Sequence, residues 1–131
     1  MPERTQLAVA PIEIRVPAVA ELSRVLRLAA SGVASLAQRS VDDIEDIKIA
    51  VSEVFLALIE HGAGNPIIVT LLYANETFLI TGRTEVSSFD IDHPDLLLCR
   101  TVLSGVCVHH TINVADGCAE IVAMVGGGAD G

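Results

Sequence analysis

The sequence predicts an α+β domain: a two-layer sandwich in which a largely antiparallel sheet of about five strands carries three helices on one face. Three observations predict it. The segments follow the order strand, helix, helix, hairpin, helix, hairpin, which pairs strands through hairpins and leaves the helices to cover one side. The chain has 131 residues, 51% of them apolar, enough for one core and too few for two, so a single domain is expected over residues 1–125. Only 3% are aromatic and Trp is absent, so that core should consist of Val, Ile, Leu and Ala.

The first element is "IEIRV", Ile12 to Val16. It alternates apolar and polar residues between Pro11 and Pro17, as a half-buried edge strand does. From Ala18 to Gln38, Val19, Leu22, Val25 or Leu26, Ala29 and Val33 recur every three or four residues, one face of a helix with a candidate bend at Ser31-Gly32. Ser40 is placed to cap a second helix, with Asp42 and Asp43 in the first turn where the dipole favours negative charge. Its apolar stripe is Ile44, Ile47, Val51, Val54 and Leu58, and "HGAGNP" ends it near His61.

"IIVTLLY" and "TFLITGR" then form a hairpin about Ala74-Asn75-Glu76. After the loop "TEVSSFDIDHPD", the segment "LLLCRTVLSG" reads as a third helix ending at Gly105, with Arg100 facing out. "VCVHHTINV" and "CAEIVAMV" make a second hairpin about Ala115-Asp116-Gly117, and residues 126–131 read as a disordered tail.

Composition narrows the function. Seventeen acidic residues against eight basic ones give a net charge of −9, and no window clusters Lys and Arg, so direct nucleic-acid binding is not expected. A basic protein partner, or acidity that serves only solubility, remain the two readings of that charge. No stretch reaches the ~18 apolar residues of a membrane span and the N-terminus lacks a signal-peptide pattern, so a cytoplasmic location and no membrane contact are expected. Cys99, Cys107 and Cys118 are odd in number and lack CxxC spacing, and read as small buried hydrophobes rather than a disulfide or zinc set. His109 and His110 are adjacent on a strand and point to opposite faces, which does not suit a shared metal. His61 suits the negative end of its helix.

Within the second helix, Glu53, Ala57 and Glu60 form a strip beside the apolar stripe. By spacing alone, the plainer reading of Glu53 is a solvated helix residue. The run "DDIEDIKIAVSEVFLALIEHGAGN", taken with the helix before it and the hairpins after it, resembles the anti-sigma factor/serine-kinase branch of the GHKL ATPase superfamily. The resemblance spans about Ile12 to Val125, is best from Asp46 to His61, and implies the histidine-kinase-like ATPase fold. The antiparallel order of the sheet rests more on this resemblance than on periodicity.

The resemblance also sets expectations for the site. In the family's first motif a Glu acts as base or water-positioning group, and an Asn one turn on holds the magnesium that bridges the phosphates. Glu53 matches the Glu, and Ala57, with no metal-binding oxygen, stands at the Asn position. In the second motif, Asp-x-Gly-x-Gly, aligning Phe89 and Asp90 with its common end sets Thr84, Val86 and Ser88 at the Asp and the two glycines. Gly82 is the only glycine between Asn65 and Gly105, so a shift of register does not restore the motif. The glycine-rich lid is replaced by "DIDHPD", which adds the carboxylates of Asp90, Asp92 and Asp95.

ATP, magnesium and other cofactors are accordingly expected to be lost. The resemblance implies a homodimeric anti-sigma factor that sequesters a sigma factor and is displaced by a STAS-domain antagonist. Arg24 falls where similar anti-sigma factors carry an arginine that contacts the antagonist, or is a solvated helix residue. Two alternatives stay open: an ATP-dependent serine kinase acting on that antagonist with Glu53 as base, and a scaffold that pairs with another regulator.

Overall fold

The computed structural model describes residues 11–126; the expected tail from 127 onward lies outside the described residues. Five strands form one sheet in the order β1-β2-β3-β5-β4, every neighbouring pair antiparallel. They are β1 (Ile12–Val16), β2 (Ile67–Ala74), β3 (Thr77–Glu85), β4 (His109–Ala115) and β5 (Cys118–Gly126). Three helices, α1 (Ser23–Leu36), α2 (Val41–His61) and α3 (Pro94–Val106), pack against one face. β1 is an edge strand, as expected, and Gly126 belongs to β5 rather than to a tail.

The core is the layer between helices and sheet. Inward residues alternate along the central strands, Val69 and Leu71 on β2, Phe78 and Ile80 on β3, Ile121 and Ala123 on β5, all 1% exposed or less. α2 lies across them with Ile47, Val51, Val54 and Leu58 buried, the stripe read from its 3.6-residue period. That period leaves Ile44 half-buried and adds Phe55, fully buried, on the flank. Gly82 serves this packing: a Cβ there would sit 2.5 Å from Val54 Cγ1 and 2.8 Å from Leu58 Cδ1. The glycine lets helix and sheet close.

Both hairpin turns have the geometry expected for two-residue loops, with positive φ at Asn75 (53°) and Glu76 (61°), and at Asp116 (54°) and Gly117 (73°). The Ser40 cap forms, its Oγ accepting from the Asp43 amide at 3.1 Å. Arg39, beside it, donates to the Tyr73 hydroxyl at 3.1 Å and the Glu76 carbonyl at 3.3 Å, and lies 3.5 Å from the Asp43 carboxylate. The loop between α1 and α2 is thereby fastened to the first hairpin.

Three boundaries differ from the sequence expectation. The first helix opens with a 3₁₀ turn at Ala20–Leu22, which leaves Val19 exposed and selects Leu26 over Val25 for the core. It then runs unbroken through Ser31-Gly32. α3 begins at Pro94, whose preset φ suits a first turn, with His93 Nδ1 accepting from the Asp95 amide at 3.1 Å as its cap. It continues past Gly105 to Val106, so β4 starts at His109 rather than at Val106. The backbone continues through Gly105 with an ordinary helical φ, because nothing there requires the left-handed conformation.

Candidate functional site

Glu53 lies half-buried on α2 and faces a cleft of about 330 Å³ between α2 and α3. Ala57 and Glu60 line the same cleft from one and two turns further on, and Asp95, Leu98 and Cys99 line it from α3. Burial, and then the Glu60 carboxylate, hold the Glu53 carboxyl above its ordinary range. Burial is also the main cause that pushes the Cys99 thiol up to about 11, with the Glu53 carboxylate adding to it. Cys107 is pushed up to about 11, first by burial and then by Asp46. The cysteines are free, as expected, although only Cys99 is fully buried.

The three residues aligned with the second motif occupy one strand end and the loop after it. Thr84 is buried, and its hydroxyl is shared between the carbonyls of Asn65 (3.2 Å) and Pro66 (3.0 Å). Val86 is buried too, its amide donating to the Gly117 carbonyl at 2.9 Å. Ser88 is exposed. Thr84 and Val86 thus join the walls of the domain, and Thr84 ties the loop after α2 to β3.

The lid segment is drawn onto the end of α2 by a cluster that sequence reasoning missed. The His61 ring meets Phe89 edge-on at 6.3 Å between centroids and lies 4.9 Å from the His93 ring. Asp90 Oδ1 accepts from the Asp92 amide, the His93 amide donates to the Asp90 carbonyl, and Arg100 donates to the Ile91 carbonyl at 3.2 Å. A period-based reading assigns His61 to the helix dipole and cannot foresee a partner 28 residues away. The "FD" pair was the available signal, since an aromatic residue within a polar loop needs something to cover.

Arg24 is exposed on α1, beside Val25 and one turn before Leu28, both also exposed. It lies on a different element from the cleft. His109 and His110 point to opposite faces, His109 exposed and His110 half-buried. Burial lowers the His110 pKa, followed by Arg100 and His109. Among the described residues no three His, Cys, Asp or Glu side chains are grouped to hold a metal, and no helix is long and apolar enough to cross a membrane.

A single antiparallel sheet under three helices, in this strand order, is the histidine-kinase-like ATPase fold. A crystal structure of the RsbU and RsbW domains of Rv1364c from Mycobacterium tuberculosis superposes with a TM-score of 0.69 at 17% identity, covering 89% of this chain and 32% of that one. The likeness supports the fold. No family model matches the chain. A serine-protein kinase RsbW of Bacillus cereus (strain AH820) is 30% identical, over 76% of this chain and 77% of the relative. Another, of Bacillus thuringiensis (strain Al Hakam), is 37% identical over 63% of this chain and 53% of the relative. The chain belongs to the RsbW serine-protein kinase family.

Proposed function

We propose that this protein is an anti-sigma factor of the RsbW type that holds a sigma factor by stoichiometric binding and no longer uses a nucleotide. The observation that carries this reading is the charge of the cleft at Glu53. Glu53, Glu60 and Asp95 line it and no Lys or Arg does. A triphosphate there would meet carboxylates instead of the cations and amides that phosphates require. Magnesium could offset that charge only if held; Ala57 supplies no oxygen where the family's Asn would, and the carboxylates lining the cleft are not grouped to hold a metal among the described residues. The Thr84 hydroxyl is already committed to two carbonyls. The donor set does not fit a magnesium nucleotide, and no chemical step is routed through one.

Binding remains. The −9 charge favours encounter with the basic DNA-binding surface of a sigma factor. Arg24, with the exposed Val25 and Leu28 beside it, is our candidate contact for a STAS-domain antagonist. The face of the sheet opposite the helices presents Leu72, Leu79 and Met124 in one paired row, each half-exposed, and is our candidate surface for a homodimer. A native pull-down tests the central part: a sigma factor should co-purify with and without magnesium ATP, and a pull-down that contains none would overturn the proposal.

One observation favours a second reading. The raised carboxyl of Glu53 is suited to a general base, as in an ATP-dependent serine kinase that phosphorylates a STAS-domain antagonist. Glu53→Ala abolishes phosphorylation in that case. In ours it leaves sigma binding unchanged and there is no phosphorylation to lose.

A further inference from the structure

A cavity of about 530 Å³ lies away from the Glu53 cleft, at one end of the sheet. Its floor is on the face without helices. Arg15, Ile68 and Arg83 are successive partners across β1, β2 and β3, so their side chains share that face. Two strand spacings separate the arginine Cα atoms by about 10 Å, close enough for both guanidinium groups to reach one head group above Ile68.

Three features set this place apart from a patch of solvated arginines. Neither guanidinium has a carboxylate within 4.0 Å or a hydrogen-bond partner among the described residues, a state they share with the exposed Arg24 on α1, whereas Arg27, Arg39, Lys48 and Arg100 all have polar partners. The wall is fixed by hydrogen bonds that do not use the arginines. Asn65 Nδ2 donates to the Glu85 carbonyl at 2.9 Å, Thr84 to the Asn65 and Pro66 carbonyls, and the Val86 amide to Gly117. The volume also lies in the usual range for small-molecule sites, roughly 300–1,000 Å³.

We propose that this cavity binds a small organic oxyanion whose single anionic head is gripped by Arg15 and Arg83 and whose apolar body rests on Ile68. Planar guanidinium groups match carboxylate and phosphate oxygens in pairs of hydrogen bonds. The carboxylates of Glu85 and Asp116, which also line the cavity, select against polyanions such as nucleoside triphosphates. Glu120, opposite Arg83 in the β3–β5 pairing, sets an upper limit on how much negative charge the head can carry favourably. The site is independent of the sigma-factor reading.

The test is a titration of the full chain with benzoate and, separately, phenyl phosphate, followed by calorimetry and by amide chemical shifts. Saturable binding of either probe, with shifts at residues 15, 68 and 83, is expected; which probe binds tells a carboxylate head from a phosphate head. Arg15→Gln and Arg83→Gln should each weaken binding by about tenfold or more. Glu85→Gln should tighten it while leaving the backbone hydrogen bond of Asn65 in place. No saturable binding of either probe, or binding that both arginine variants retain, would overturn the proposal.

Discussion

Glu53 matters first through its proton. Its carboxyl is raised in the folded protein, so the unfolded chain ionises first as pH rises, and folding is progressively disfavoured through that range. Stability from this group is fully present below the unfolded value near 4.5 and is lost as pH rises through the folded value. Glu53→Gln should therefore raise the melting temperature at pH 7, and the gain should disappear below about pH 4; thermal melts at the two pH values check it. The thiols make a second prediction. With both pushed up to about 11, Cys99 and Cys107 should resist iodoacetamide at pH 8 until the chain is unfolded, as peptide mass spectrometry would show. The place of Glu53 on α2 was legible because the helical period around it is long and regular. Cys107 was less so: it follows the helix end that was placed too early, and it is half-buried instead of buried.

Among elements, the contact of α2 with β3 decides most. The sequence marked Gly82 as the only glycine in its region but not its purpose, since the partners, Val54 and Leu58, lie on another element. Gly82→Ala should cost about 1–3 kcal/mol through overpacking, measured by urea denaturation. Ser40→Ala should cost about 1 kcal/mol through loss of the cap, and Thr84→Val about 1 kcal/mol, since the Asn65 and Pro66 carbonyls lose their shared donor. Periodicity and turn chemistry found every helix and strand, because the amphipathic period is long in α2 and both hairpins carry proper turn residues. They misjudged the ends of α1 and α3. The 3₁₀ turn at Ala20–Leu22 and the His93 cap depend on backbone geometry that composition does not encode, and the His61–Phe89–His93 contact depends on tertiary proximity.

For the whole molecule, net charge is the property on which the proposed binding rests. If the proposed binding holds, a surplus of nine negative charges steers the basic partner by long-range attraction, so association with a sigma factor should slow markedly between about 0.05 and 0.5 M salt as screening shortens; stopped-flow association rates would show it. The layered fold was legible in the sequence. The cavity that joins Arg15 to Arg83 was not, because pairing of β1 with β2 and of β2 with β3 brings together residues 68 positions apart. The central claim is that the family's fold persists here without its nucleotide, and titration with magnesium ATP, by calorimetry with a parallel thermal melt, tests it most directly. The account predicts no heat and no stabilisation at millimolar nucleotide. Micromolar binding, with the ~2.7 kcal/mol of stabilisation that a ligand at 100 times its Kd confers, would contradict it and make Glu53 the base of a working kinase.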